Sequence, residues 1–336
     1  MSGAGHEQEV EADEAGIRLD RWFKRHHPTL SHSALQKLLR TGQVRVDGKR
    51  AESSTRLEAA QKLRVPPQVL TPPPPDPAKV IRRVGREVEL LRKMILFEDD
   101  DVIALNKPAG LAVQGGTGLK ENLDDMLEAL AKKGQGKPKL VHRIDRDTSG
   151  VLLVARSAFA AMRLTEAFRE RETRKIYWGV TVGVPKPPSG KVAAHLIKQG
   201  ETMRLATEDE IKDSRRKDYH GGVKTATTLY QVVDRAAKKA SFIAMWPLSG
   251  RTHQLRVHMA YVGTPLLGDR LYGADASAGL PLDELGSGLH LHARRLVIPH
   301  PRRGVIDVTA PLGPEMRKTW DWFHFDPNEE TEFVED

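Results

Sequence analysis

Seven prolines fall between residues 66 and 77, at Pro66, Pro67, Pro72, Pro73, Pro74, Pro75 and Pro77. Proline fixes φ and lacks the N–H that a helix or sheet interior needs, so no regular element is expected to run through this stretch. It reads as a stiff, extended linker over 67–80. A chain of 336 residues is thereby divided into a small N-terminal part and a large C-terminal part.

The small part spans 17–66, after an acidic segment of small residues at 1–16 that reads as a flexible leader. Ile17, Leu19, Trp22 and Phe23 suggest a short helix closed by Pro28, and Ser31 or Ser33 can cap a second that carries Leu35, Leu38 and Leu39 inward. VRVDGKR alternates Val44 and Val46 about an Asp-Gly turn and predicts a hairpin. This module carries twelve Lys and Arg against four acids, an excess of eight that equals the excess of the whole chain, 53 against 45. Such a concentration suits a phosphate-backbone footprint, with Arg18, Arg21, Lys37, Arg40, Arg45, Lys49 and Arg50 as its candidates.

The large part spans 81–322, ahead of an acidic tail at 323–336 whose end, Asp326–Asp336, is expected to be disordered. Lys79–Met94 looks helical, DDVIALNKPAGLAV reads as strand, turn and strand, and NLDDMLEALAKKG as a helix between Asn122 and Gly134. SAFAAMRLTEAFRE has helical spacing through Phe159, Met162, Leu164 and Phe168 behind a Ser157 cap. KIYWGVTVG is a strand, TATTLYQVVDRAAKKASFIAMWPL two antiparallel strands, THQLRVHMAYVG a helix, and 289–298 and 304–310 late strands. Adjacent strands with few helices predict an α+β fold, mixed but mainly antiparallel, rather than a doubly wound nucleotide fold.

Several classes are disfavoured. With no cysteine, disulfides, thiolate metal sites and thiol nucleophiles are excluded, and a reducing compartment is suggested. No secretory signal and no apolar run of about 18 residues are visible, so a cytoplasmic protein without a membrane partner is expected. GGTG at 115–118 lacks a following Lys–Ser/Thr pair, and no GxGxxG stands between strand and helix, so no nucleotide cofactor is expected.

The densest chemistry lies in VHRIDRDTSGVLLVARS, residues 141–157. A metal site is opposed by Arg143 and Arg146 beside the Asp145 and Asp147 carboxylates. A surface turn of ion pairs does not call for the buried strand that Gly150–Ala155 suggests. A carboxylate at the mouth of such a strand sits on rigid scaffold, where a reacting group is held in place. SGRTHQLRVHMAYVGTPLLGDRLYG, residues 249–273, supplies basic partners: Arg251 and His253 suit phosphate, and Arg256 suits a carboxylate.

HRIDRDTSGVLLVARS, KIYWG (175–179) and GRTHQLRVH (250–258) together resemble the RNA pseudouridine synthases that act on large-subunit ribosomal RNA. Within that family ADEAG, VRVDGKR and NKPAGLAVQGGTG look most like the synthase C and D group, and 17–66 resembles the S4-type RNA-binding module that precedes the catalytic domain. The resemblance implies isomerisation of uridine to pseudouridine in RNA, with large-subunit ribosomal RNA as partner and no metal, nucleotide or redox cofactor. It assigns catalysis to Asp145, Tyr177 and Arg256, with Arg256 paired to Asp145, and substrate contacts to His142, Arg143, Arg251, His253 and Leu255. Ile144 stands where the family usually has Leu, a conservative apolar change. Whether Asp145 attacks the ribose or takes a proton from it stays open. A separate RNA module makes a monomer sufficient. The competing readings are a non-catalytic RNA-binding or ribosome-assembly factor, a hydrolytic glycosidase using Asp145 and Asp147, and a binder of acidic membranes.

Overall fold

A computed structural model describes residues 6–28, 30–70, 77–115, 121–132, 136–170, 172–214, 216, 222–273, 279–331 and 333. The first residues of the leader, linker residues 71–76, most of GGTG, Gly134 and 334–336 lie outside these. The chain divides into two compact units, Met1–Glu87 with Gln114–Asp125, and Val88–Val113 with Met126–Asp336.

The first unit contains β1 (His6–Glu9), α1 (Leu19–His26), α2 (His32–Arg40), β2 (Arg45–Val46), β3 (Lys62–Val65) and α3 (Pro67–Leu70). Leu19, Trp22 and Phe23 of α1 and Leu35, Leu38 and Leu39 of α2 pack into one core with Leu63 and Val65. Ser31 caps α2 by accepting from the Ala34 amide. Asp47 and Gly48 both have positive φ, 48° and 74°, the signature of a tight hairpin turn between Val46 and Lys49.

The leader is not loose over 6–14. β1 pairs with β3 in a β1-β3-β2 sheet, and Glu14 is buried, its carboxylate accepting from Trp22 Nε1 at 2.8 Å and meeting His26 Nε2 at 2.6 Å. The strand is polar and held by backbone bonds, so no apolar alternation announces it. Burial raises the Glu14 pKa, yet the bonds from His26 and Trp22 outweigh it and hold the carboxyl below its ordinary value. The start of the linker also departs from expectation. Proline is tolerated at a first helical position, and Pro67–Leu70 forms a helical turn that buries Val69 in the core.

Along the rest of the chain come α4 (Pro77–Met94), β4 (Ile95–Glu98), β5 (Val102–Lys107), α5 (Leu123–Met126), β6 (Lys139–Leu140), β7 (Ser149–Ala155) and α6 (Ala158–Arg169). Then follow β8 (Arg174–Val182), β9 (Ser189–Gln199), β10 (Thr202–Leu205), α7 (Glu208–Asp213), β11 (Lys224–Ala236), β12 (Ala240–Pro247), α8 (Gln254–Tyr261), β13 (Leu291–Pro299), β14 (Val305–Thr309) and α9 (Pro314–Phe323). The fold is α+β. Among the described residues one sheet of eleven strands runs β10-β9-β11-β12-β8-β13-β7-β5-β4, with β14 on β13 and β6 on β7. Among the described residues every pairing in it is antiparallel except β7 with β13.

That parallel contact needs Gly150. Its φ is +108°, and a Cβ there would lie 2.2 Å from the Ala293 carbonyl oxygen. β7 is buried along its whole length, as a strand covered on both faces must be. α6 covers it with Ala160, Leu164 and Ala167, while Phe159 and Met162 of the same helical spacing are exposed. Among the described residues no second strand follows the Pro108–Gly110 turn.

The acidic tail is anchored. Arg294 donates to Pro327 O at 3.1 Å, Trp178 Nε1 to Thr331 Oγ1 at 3.3 Å, and Arg174 to Phe333 O at 2.6 Å, with Phe333 packed on Trp246. Two apolar anchors, Phe325 and Phe333, are buried among the acids, and they outweigh a composition that reads as solvated. Among the described residues no helix is long and apolar enough to cross a membrane.

Candidate active site

A cleft of about 1230 Å³ opens in the second unit, lined by both motif segments. Asp145, Tyr177, Arg256, His142, Arg143, Arg251, His253 and Leu255 all border it. Segments far apart in sequence therefore meet in one place, and the sheet explains how. β7 carries the Asp145 turn at its start, β8 carries Tyr177, and α8 presents Arg256 after the 249–253 loop.

The Asp145 turn is closed by the Thr148 amide donating to Asp145 O at 3.1 Å. Arg146 and Asp147 pair side by side at 3.0 Å, which shapes the turn and leaves Asp145 to the cleft. Asp145 is half-buried. Among the described residues its carboxylate makes no hydrogen bond or ion pair, yet its charge is felt at Lys107, Tyr177, His253, Arg256 and Tyr272.

The expected Arg256–Asp145 pair does not form. Arg256 Nε and Nη2 instead make a bidentate pair with Asp269 at 2.8 and 2.7 Å, both residues being buried. Asp269 also accepts from the Leu271 and Tyr272 amides at 3.0 and 3.2 Å. Burial pulls the Arg256 pKa down, but Asp269, with Asp145 behind it, holds it above its ordinary value. Arg256 is thus a fixed cation near Asp145 whose own charge is balanced by a different carboxylate. Its guanidinium lies over the Tyr272 ring at 5.1 Å.

His253 sits at the start of α8 with φ +51°, and its Nδ1 is 2.8 Å from Tyr272 Oη, which also accepts the Met203 amide at 2.9 Å. Burial lowers the His253 pKa while Asp145 pulls it up. Gln254 fixes the preceding loop: its Oε1 accepts from Ser249 Oγ and the Arg251 amide, and its Nε2 donates to Thr227 O. Arg251 is exposed and donates to Thr225 O at 3.1 Å. Leu255 is buried against Met245, Met259 and Tyr177.

Tyr177 is half-buried in the cleft wall, and burial first, then the Asp145 charge, push its phenol pKa up. His142 has a different place from a free polar contact. Its Nε2 accepts the Leu153 amide at 2.8 Å and its ring stacks on Phe168 at 4.4 Å, with burial pulling its pKa down to about 3. The ring is therefore neutral and committed to β7. Arg143 is exposed at the rim.

Two residues of the site were not singled out by sequence. Asp269 lies in GDRLYG, where a carboxylate thirteen residues after Arg256 gives no helical or strand periodicity to notice. Lys107, in NKPAG, is wholly buried and its ammonium donates to Pro108 O, Leu111 O and Arg146 O. A lysine ending an apolar strand before Pro-Ala-Gly was the available signal.

In the arms of the first unit, Arg45 and Arg50 converge over Gly42, and Arg45 donates to Gly42 O and Gly48 O. Lys37 and Arg40 are exposed in the last turn of α2, and Lys49 in the hairpin turn. Arg18 is tied to Asp20 at 2.7 Å, which neutralises it locally, and Arg21 is exposed on α1.

One cleft thus gathers a carboxylate turn, a wall tyrosine and a clamped arginine on a mixed, mainly antiparallel sheet, and residues 101–261 of the chain match the RNA pseudouridylate synthase family. The chain belongs to that family and is an RNA pseudouridine synthase. Its relatives include the ribosomal large subunit pseudouridine synthase C of Vibrio vulnificus, 33% identical over 92% of this chain and 94% of that one. Escherichia coli K12 has a protein of the same name, 35% identical over 92% of this chain and 93% of its own. Among solved structures, human RNA pseudouridylate synthase domain containing 4 superposes with a TM-score of 0.59 at 25% identity, over 73% of this chain and 98% of that one.

Proposed function

We propose that this enzyme converts uridines of large-subunit ribosomal RNA, the substrate in the names of its relatives, and that Asp145 is its catalytic carboxylate. The observation that carries the reading is the state of Asp145: it borders the cleft, has no hydrogen bond or ion pair among the described residues, and stands in the field of Arg256. A carboxylate committed to a partner would be a poor reactant, whereas one left unpaired at the cleft stays available.

In the reaction the N1–C1′ bond breaks, the uracil turns within the cleft, and C5 bonds to C1′. The C5 hydrogen leaves as a proton and N1 takes one up, so no redox partner is needed. Asp145 acts at the ribose while Tyr177 packs against the base and excludes water. Arg143 and Arg251, exposed at the rim, hold flanking phosphates of a uridine drawn out of its stack. Module 17–66, S4-like in its resemblance, grips RNA through Lys37, Arg40, Arg45, Lys49 and Arg50, raising the local concentration of substrate for a cytoplasmic monomer.

The test is tritium release from ribosomal and transfer RNA labelled at uridine C5. The intact chain should release tritium from ribosomal RNA, and Asp145→Ala should bind RNA equally but release none. Release by Asp145→Ala near the intact rate removes Asp145 from the mechanism, and release from transfer RNA alone removes the ribosomal assignment.

A further inference from the structure

Strand β9 presents two different faces. Val192, Ala194 and Leu196 are buried, and α8 closes that side: Leu255 and Met259 pack in one cluster with Val192, and Val257 in another with Leu196 and Ala226. Alternation sends Lys191, Ala193 and His195 to the opposite side, where they pair across the ladder with Leu229, Thr227 and Thr225 of β11. Lys191, Ala193 and Thr225 are exposed there, and His195 and Thr227 are half-buried. No acid occurs in residues 189–199 or 224–231. Among the described residues Lys191 has no ion pair, and Arg251, donating to Thr225 O at 3.1 Å, sets a guanidinium at the margin of the strip.

This strip runs out of the cleft, since Lys191, Leu229 and Arg251 border both. Charge changes sign in the other direction. Ser189 and Gln231 border the cleft and also a smaller groove of about 410 Å³, whose far wall is Glu329, Glu330 and Thr331 of the tail. Both glutamates are exposed. At the other end of β9, Arg204 of β10 stands beside Ile197 and is bound by both oxygens of Glu210, at 2.8 and 2.7 Å. The uncompensated positive charge of the strip therefore lies next to the cleft.

We infer that the exposed face of β9 and β11 is the path by which RNA on one side of the target uridine leaves the cleft, its phosphates held by Lys191 and Arg251. Glu329 and Glu330 repel the strand from the opposite exit. The inference rests on the cleft being where uridine is isomerised. A uridine drawn out of its stack leaves flanking phosphates that need cations, and the small Ala193 between Lys191 and His195 lets a backbone approach the sheet closely. His195 and the Thr225 hydroxyl suit the 2′-hydroxyls of a strand on this path. Contacts of this kind carry no sequence information, so the strip fixes the direction of the strand and leaves the choice of uridine to the cleft and the N-terminal module.

The chain has no cysteine, so one introduced thiol carries one probe. Gln199→Cys, exposed at the far end of β9, and Asn328→Cys, exposed beside the two glutamates, are each coupled to an iron–EDTA reagent that cleaves nearby RNA. The full chain is then bound to full-length large-subunit ribosomal RNA, and cuts are located relative to the position at which it forms pseudouridine. The Gln199 probe should cut the RNA beside that position on one side only, and the Asn328 probe should cut the same flank several-fold less. Lys191→Gln should weaken binding to this RNA about 4-fold near physiological salt and lower the slope of log affinity against log salt by about 0.7–0.9, the loss of one phosphate contact. Lys238→Gln, exposed in the turn between β11 and β12, should change neither.

The path is overturned if the Gln199 probe cuts no RNA beside the modified position, if the two probes cut it equally, or if Lys191→Gln binds as Lys238→Gln does. Tritium release by the intact chain separates the two claims: release from ribosomal RNA together with any of those outcomes removes only the path, whereas no release removes the underlying reading and the path with it.

Discussion

Asp269→Ala is the perturbation that most directly probes how the site is held. The carboxylate has no exposed side-chain surface, pairs bidentately with an Arg256 that is 6% exposed, and accepts two backbone amides. Removing it strands a buried guanidinium, a loss of about 3–5 kcal/mol, and leaves the Leu271 and Tyr272 amides without an acceptor. For a unit of this size that corresponds to a fall of about 10 °C in melting temperature. Asp269→Asn keeps one oxygen for those amides but gives up the charge and half of the fork, and should cost about 2 kcal/mol. Both follow from urea titrations of the full chain, with tritium release measured where each variant is folded. Product formation should fall in Asp269→Asn while RNA binding persists, because Arg256 is no longer fixed relative to Asp145. An Asp269→Ala chain that melts with the wild type, or an Asp269→Asn chain of full activity, would refute the view that this pair positions the cation.

Acid should weaken the second unit. His142, His258, His290 and His292 are held neutral by burial, the first at about 3 and the others at about 4, against an ordinary 6.5. Below 6.5 the unfolded chain takes up protons that the folded chain refuses, so stability present at pH 7 is lost as pH falls toward 4, about 2 kcal/mol per histidine at pH 5. A urea midpoint equal at pH 7 and 5 contradicts this. Gly150→Ala should cost at least about 3 kcal/mol, because the new Cβ meets backbone that cannot swing away; a chemical denaturation curve within about 1 kcal/mol of wild type argues against the close approach. Replacing Lys37, Arg40, Lys49 and Arg50 by Gln should weaken RNA binding and flatten its dependence on salt, with the rate of the bound complex unchanged; an unaltered salt slope would place the RNA footprint elsewhere.

The parts legible from sequence were those with strong local signals. Ser157 before an amphipathic run, the all-apolar Gly150–Ala155, and the Asp47–Gly48 turn each specify their own geometry within a few residues, and each forms. The site residues could be brought together only through a family pattern, since no spacing joins 145, 177 and 256. Partner choice was the step that sequence could not resolve. Arg256 had two carboxylates to choose from, and the choice depends on a loop turning Asp269 back onto α8. Polar strands and acidic ends were misread for the opposite reason: β1 is held by backbone bonds and the tail by Phe325 and Phe333, and neither kind of anchor alters composition enough to show.

The anchored tail bears on how the enzyme is handled in the laboratory. Phe333 lines the same cleft as Asp145, so a tag, linker or fluorescent protein joined within a few residues of it starts close to the cleft wall, at about 3.3 Å per residue. At that range an appended segment is present at millimolar effective concentration. A polyhistidine or basic extension there becomes a tethered rival or recruiter of RNA, and affinities measured with it describe the fusion. Immobilisation chemistry for binding assays belongs on exposed residues away from both the cleft and this carboxyl end.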